Sequence, residues 1–487
     1  MSTVIVGGGI AGLATAYRLR QSDPSLPITL VERAPQLGGK IVTAEQEGFV
    51  VEGGPDSFLA RQKPWGLELA HELGLSERLL FTNDERRNVY LLRRKRLRKM
   101  PDGLMLIVPT RFLPFALSSL ISLPGKLRMA LDLFIPPRRD ESDESLGDFI
   151  RRRLGQEALD VLAEPMMAGI HVAEAERLSL QATFPRFSAI ERKYGSLIRG
   201  MLAARQARAK APPSPLGETS LFVTLQGGLR ELVAALEEAL DGVEILAGRG
   251  VTALERADGG YSVHLDDGDR RQADAVVLAI PAHAAAALLA PLSAPLAGGL
   301  RAIRYVSTAT VSLGYRREDV PHPLDGFGFV VPASEPCDIL ACTWTSTKFD
   351  HRAPDDAVLL RAFVGGPRRE GLVAHDDATI IRTVRAEFRR ILGIEARPTV
   401  ARVFRWHDAN PQYDVGHLER VSALEALCPP GLFLTGSAYR GVGIPDCVRQ
   451  GTETAAQVRA YLNAECDHSD PPAESQAHAR REVVTTQ

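Results

Sequence analysis

The sequence predicts an α/β fold, a parallel sheet of the Rossmann-like kind interrupted by insertions, and three observations carry that expectation. A buried apolar strand, Thr3 to Val6, runs into glycines and then into a helical stretch from Ala11 to Arg20. A second apolar strand at 28–32 (ITLVE) ends on an acid, so the chain opens as a strand-helix-strand unit whose crossover is right-handed. Strand patterns of the same sort return far down the chain, at 275–280 (AVVLAI, closed by Pro281) and at 432–435. A chain of 487 residues is also too long for one hydrophobic core.

Between those strands the pattern changes character. Residues 84–100 are strongly basic and lead into a helical region. The stretch 104–136 is rich in Leu, Ile and Phe, yet Pro109, Pro114 and Pro124 break it, and Arg111, Lys126 and Arg128 charge it. That combination suits an interfacial helical hairpin as well as a buried part of the core. Leu146, Phe149, Ile150, Leu154, Val161 and Leu162 then recur at helical spacing behind Ser145, a suitable N-cap. Residues 205–217 read as a linker, and Leu229, Leu232, Val233, Leu236 and Leu240 as an amphipathic helix. Strands are expected at 243–246, 251–256 and 261–265, and a mixed sheet from 303–315 and 327–364. A helix at 446–463 precedes a polar tail from Ala464 that is expected to be disordered.

Composition excludes several classes of function. Net charge is -2 and charged residues make up 24%, which leaves no basic excess to hold nucleic acid. Cys337, Cys342, Cys428, Cys447 and Cys466 show neither CxxC pairs nor metal-ligand spacing, so no metal is expected and the thiols read as free. No apolar run is long enough to span a bilayer and no targeting segment opens the chain, so a cytoplasmic location is expected.

The chemistry-bearing motif comes first. Gly7-Gly8-Gly9-Ile10-Ala11-Gly12 lies between a strand and a helix, and Glu32 closes the next strand. The first glycine of this GxGxxG permits the turn, the second lets backbone approach a pyrophosphate, and the third lets helix pack close to strand. The helix N-terminus then faces the phosphates, and Glu32 can bind ribose hydroxyls. Leu37-Gly38-Gly39-Lys40 provides a second glycine pair and a cation, a loop that NAD enzymes do not need.

From Glu32-Arg33 to Lys40 the chain resembles the flavin-containing amine oxidase superfamily, which commonly carries Arg at the position of Lys40. Gly53-Gly54-Pro55-Asp56-Ser57-Phe58 is similar to the flavin-contacting loop of the protoporphyrinogen and coproporphyrinogen oxidases. So are Glu164-Pro165, Gly169-Ile170, Leu178-Ser179, Trp406 with Pro411-Gln412-Tyr413, and Val415-Gly416-His417. Gly436 and then Gly441-Val442-Gly443-Ile444-Pro445-Asp446-Cys447 resemble the branch found in Gram-positive bacteria.

The resemblance implies FAD, held at its ADP part by Gly7 to Gly12, Glu32 and Arg33, with Gly39 and Lys40 on the phosphate side. Val251 would begin the strand that binds adenine through backbone. Gly53, Gly54, Pro55, Asp56, Gly436, Gly443, Ile444, Pro445 and Asp446 would line the isoalloxazine, and Trp406 would pack beside it. The linking cysteine of monoamine oxidases is absent from Gly436-Ser437-Ala438-Tyr439, so FAD is expected to be non-covalent. A discontinuous FAD-binding domain (1–82, 218–302 and 428–463) would then carry a substrate-binding α+β domain (167–217 and 303–427). A helical, membrane-associating region would fill 83–166, ahead of the tail at 464–487.

The implied reaction is six-electron aromatisation of a porphyrinogen by oxygen, with coproporphyrinogen III as the expected substrate and handover of product to a ferrochelatase as a further expectation. Protoporphyrinogen, an amine or a carotenoid are competing substrates, and a non-catalytic FAD scaffold is a reading of another class. Arg61, Lys63 and Arg440 are candidates to meet substrate propionates; His171 and His407 read as structural, and no catalytic residue can be named.

Overall fold

The computed structural model describes residues 1–101, 104–105, 108–109, 112–210, 221–257 and 259–469. Five parallel strands form the sheet expected from the N-terminus: β1 (Thr3–Val6), β2 (Ile28–Glu32), β3 (Glu244–Ala247), β4 (Ala275–Leu278) and β5 (Leu432–Leu434). Their order is β3-β2-β1-β4-β5, with every pairing parallel. β1 and β4 are buried along their whole length, which is why both read as continuous apolar runs.

Helix α1 (Ile10–Ser22) leaves β1 at Gly9, and the long C-terminal helix α3 (Ile444–Ser469) lies along it; α2 (Arg230–Glu238) packs on the same core. The crossing of α1 and α3 is tight: a Cβ on Gly451 would stand 2.7 Å from the Ala11 carbonyl. A three-stranded meander, Val251–Ala257, Gly260–Leu265 and Arg270–Ala273, contributes Val251, Leu254 and Val263 to the core on the other face.

The second sheet has seven strands, in the order Val400–Pro411, Tyr305–Arg316, Ala357–Gly365, Ala341–Trp344, Gly326–Val330, Asn88–Arg93 and Arg96–Lys99. All neighbours are antiparallel except Gly326–Val330 with Asn88–Arg93. Helix Asp377–Leu392 closes one face through Ile380, Val384 and Phe388. It starts on Asp376, whose carboxylate accepts from the Thr379 amide at 2.8 Å.

Several elements differ from expectation. The basic stretch 84–100 is mostly a β-hairpin on the edge of the second sheet, and the helices begin after it. An edge strand facing water tolerates Arg and Lys, so charge hid the strand pattern. Helix Leu197–Lys210 covers the start of the expected linker, and residues 211–217 lie outside the described residues. The C-terminal helix runs on to Ser469, so 464–469 are helical rather than disordered; 470–487 lie outside the described residues.

Ser145 does cap Leu146–Arg153, accepting from the Asp148 amide at 2.9 Å. That helix stops at Gly155 (φ 95°), where the sequence pattern ran on. In the helical region, Lys126 donates to the carbonyls of Ala116 and Ser118, and Arg128 to those of Arg151, Arg152 and Arg153. Both cations therefore satisfy the open C-terminal carbonyls of neighbouring helices. Arg111 lies outside the described residues.

Candidate functional site

The glycine-rich turn after β1 is built by backbone contact. Gly7 has φ 110° and a Cβ there would collide with the Ala279 carbonyl, while a Cβ on Gly12 would stand 2.0 Å from the Gly7 carbonyl. A Cβ on Gly9, at the start of α1, would meet no protein atom within 4 Å. The protein's own packing thus requires glycine at Gly7 and Gly12 and leaves room at Gly9, beside Ile10 and Ala11 in the first turn of the helix. A diphosphate fits that cradle, because the α1 N-terminus presents amide donors to it.

The Leu37–Lys40 loop folds onto this turn. Gly38 donates to the Gly8 carbonyl at 2.8 Å, and a Cβ on Gly39 would lie 3.1 Å from Gly9 Cα. Glu32 accepts from the Gly8 amide at 2.7 Å and from Ala34 at 2.8 Å. The Arg249 amide bonds the Glu32 carbonyl at 2.9 Å, so Arg33, Gly250 and Val251 gather at one end of the cradle. That is the arrangement an ADP moiety requires.

Lys40 closes this loop. Its ammonium donates to the Ala409 carbonyl and lies 3.5 Å from Ser437 Oγ, and burial lowers its pKa from the ordinary value. It stands between the two segments expected at the flavin ring. One is Gly53 to Asp56, whose turn crosses the Lys40 backbone so closely that a Cβ on Gly54 would sit 1.8 Å from the Lys40 carbonyl. The other is the loop Gly436–Gly443 leading into α3.

Charges from the second sheet hold the first segment. The Gly53 carbonyl accepts from Thr310 Oγ1 (2.7 Å), Trp406 Nε1 (3.0 Å) and Arg361 (3.3 Å), and Arg361 also donates to the Gly54 carbonyl. Trp406 thus supports the turn directly. After Pro55, Asp56 pairs with Lys348 at 3.3 Å through both oxygens. Burial would raise its pKa, but Lys348 and Arg361 outweigh that and hold it at about 2. Glu52, just before the turn, accepts from the Leu229 amide (2.7 Å) and Thr43 Oγ1 (2.8 Å), and burial pushes it up to about 7.

A buried aromatic pair holds the second segment. Tyr413 donates to the Ser437 carbonyl and accepts from the Gly441 amide, both at 2.8 Å. His417 stacks on Tyr413 at 3.9 Å and contacts the Tyr439 carbonyl at 2.8 Å; burial lowers its pKa to about 4, so it is neutral and donates there. Ile444 joins the core around Phe58 and Leu67, and Pro445 packs near Gly66. Asp446 completes the contact: it forms an ion pair with Lys63 at 2.5 Å, with the carboxylate 8% and the lysine 38% exposed. Residues near opposite ends of the chain meet there.

The other two candidate cations lie elsewhere. Arg440 pairs with Glu425 at 2.6 Å on helix His417–Leu427, while Arg61 follows the first flavin segment. His407 is exposed, and the side chain of His171 lies outside the described residues. Burial pushes the Cys447 thiol up to about 12, so it stays protonated. Among the described residues no group of three His, Cys, Asp or Glu is placed to hold a metal ion.

Residues 10–459 match the profile of the flavin-containing amine oxidoreductases. The chain belongs to that family. It is 38% identical to the coproporphyrinogen III oxidase of Bacillus subtilis (strain 168), over 94% of this chain and 98% of the relative. It is 34% identical to the coproporphyrinogen III oxidase of Staphylococcus aureus (strain NCTC 8325 / PS 47), over 95% and 99%. A crystal structure from Exiguobacterium sp. 255-15, provisionally described as a protoporphyrinogen oxidase, superposes with a TM-score of 0.84 at 35% identity, covering 95% of this chain and 99% of that one. Within its family the chain therefore stands with the porphyrinogen oxidases, and FAD is its cofactor.

Sequence reasoning missed Arg361, Lys348 and Glu52. A signal existed for Arg361: it interrupts the apolar strand Ala357–Gly365, and a buried arginine there demands acceptors.

Proposed function

We propose that this protein aromatises a porphyrinogen at the expense of oxygen, converting coproporphyrinogen III and three O2 to coproporphyrin III and three H2O2. The observation that carries the proposal is the Lys63–Asp446 pair, which ties the stretch just after Gly53–Asp56 to the start of the C-terminal helix, in a chain whose near-full-length relatives include coproporphyrinogen III oxidases. FAD, when bound, supplies the two-electron acceptor for each step and passes the electrons to oxygen. The chain's residues bind, orient and exclude water. Gly7 to Gly12 and Glu32 hold the ADP part without a covalent link, the two flavin segments hold the ring, and the fixed geometry places substrate carbon against it.

Coproporphyrinogen III carries four propionates, which calls for cations around the site. Lys63 can exchange its carboxylate partner, being partly exposed, and Arg61 and Arg440 are further candidates. Replacing Arg61 or Lys63 by Ala should raise KM more than it lowers kcat, because propionates lie away from the reacting carbon. The proposal is tested by kcat/KM for coproporphyrinogen III and protoporphyrinogen IX under identical detergent and salt. Preference for protoporphyrinogen IX by tenfold or more would move the assignment to that substrate, and turnover of amines alone would remove it.

Peripheral membrane contact is part of this reading. Helix Phe112–Leu117 exposes Leu113 and Leu117, helix Leu123–Ala130 exposes Leu123 and Leu127, and Phe134 just beyond it is exposed too, while Arg98 and Lys99 line a groove with Leu117. Among the described residues no helix is long and apolar enough to cross a membrane. Flotation with anionic liposomes tests the contact; protein remaining wholly at the bottom of the gradient would eliminate it.

A further inference from the structure

We propose that Arg361 is a positioning residue of the cofactor site, holding the Gly53–Gly54 carbonyls off the flavin and placing a buried positive charge behind that turn. Arg361 lies in the middle of strand Ala357–Gly365, is 2% exposed, and stacks its guanidinium 4.9 Å from the Phe363 ring. Burying a guanidinium costs several kcal/mol unless its donors find acceptors. Here one terminal nitrogen reaches two main-chain carbonyls of the turn proposed to contact the flavin, while the buried Nε has no hydrogen-bond partner.

Three neighbouring strands of the second sheet aim donors at the Gly53 carbonyl: Thr310, Arg361 and Trp406. A carbonyl engaged three times over cannot turn its negative end toward a ligand. That matters at a flavin, because a ring that accepts hydride gains electron density and is repelled by carbonyl oxygens. The local charge acts in the same sense. Buried Arg361 and Arg352 and partly buried Lys348 stand against buried Glu52 and partly buried Asp56, three cations against two carboxylates. The inference rests on FAD binding alone and is independent of the substrate.

The test compares R361K and R361M holoenzymes with wild type by FAD dissociation constant, flavin midpoint potential and melting temperature of the FAD-free protein. Lysine keeps the charge but replaces the planar guanidinium stacked on Phe363 by a compact, strongly hydrated ammonium on a flexible stem. R361K should keep the wild-type potential and bind FAD about tenfold more weakly. R361M should bind FAD more weakly still and shift the two-electron equilibrium toward oxidised flavin by tenfold or more, about 30 mV. A wild-type potential in R361M would overturn the proposal. So would a loss of FAD affinity that merely follows the fall in apoprotein melting temperature. If R361M does not fold, R361K decides: weakened FAD at unchanged apoprotein stability supports the role, and unchanged FAD affinity contradicts it.

Discussion

Two segments proposed to meet the flavin, one from each end of the chain, are held by different physics. Gly53–Asp56 is fixed by buried charge, through Arg361 on its carbonyls and Lys348 on Asp56, with Glu52 behind it. Gly436–Gly443 is fixed at its core by neutral hydrogen bonds from Tyr413 and Gln450, backed by stacked His417, while its charged contacts (Lys40 near Ser437, Arg440 with Glu425, Arg449 on the Arg440 carbonyl) flank it. The first segment abuts a sheet whose strands can deliver long cationic side chains; the second packs against helices and supports its backbone with rings. The first should therefore be the stiffer and the more sensitive to charge, and the second the more tolerant of substitution.

The largest contrast should come from glycine replacements. Gly54→Ala drives a Cβ into the Lys40 carbonyl, backbone against backbone, and should abolish FAD retention and destabilise the protein by at least about 3 kcal/mol. Gly436→Ala meets no protein atom closer than Ala11 Cβ at 3.7 Å, so the FAD-free protein should lose only about 1–2 kcal/mol, from φ 112°. Gly9→Val should differ from both, giving a folded protein without FAD, because the added side chain meets the diphosphate rather than the protein. FAD content and thermal melting of the three variants check this.

Opposite pH responses at the two segments come next. Glu52 has a folded pKa raised from 4.5 to about 7, so its contribution is full below pH 4.5 and is lost as pH rises through 7. His417 has a folded pKa lowered from 6.5 to about 4, so its contribution is full above pH 6.5 and is lost as pH falls through 4. Each shift corresponds to roughly 3 kcal/mol, and in wild type the two slopes oppose each other over most of the window. Denaturant unfolding from pH 4.5 to 6.5 should therefore show Glu52→Gln gaining stability as pH rises and His417→Gln losing it. Parallel slopes in the two variants would break the comparison.

How far the sequence foretold this can be judged from particular residues. β1, β2 and β4 were legible because strands buried on both faces read as unbroken apolar runs, and the glycines of the first turn announced themselves by spacing. The hairpin 88–99 was not, since its edge strand carries arginines on a wet face. That the Lys40 ammonium meets Ala409 and Ser437 is visible only in the fold, since those residues lie far along the chain. The partners of Gly53 lie more than 250 residues away, at Thr310, Arg361 and Trp406, and no local pattern links them.

Smaller effects sharpen the same contrast. Asp56→Asn should cost about 2 kcal/mol above pH 3.8, and the difference should vanish as pH falls through about 2, where the wild-type carboxylate also protonates. Tyr413→Phe removes two hydrogen bonds and should cost about 1–3 kcal/mol with no added pH dependence between 5 and 8. Urea titrations over pH separate the two: a pH-dependent deficit in Tyr413→Phe would contradict neutral support of the second segment.

The account stands on one claim above the others, that both segments grip a flavin which a porphyrinogen reduces. Mixing the yellow holoenzyme anaerobically with coproporphyrinogen III measures this directly. The flavin absorbance should bleach by one two-electron reduction; admitting oxygen should then restore it, with porphyrin fluorescence rising only over the three cycles that six-electron oxidation requires. A flavin that stays oxidised in the presence of coproporphyrinogen III and protoporphyrinogen IX, yet bleaches with an amine, would contradict the account.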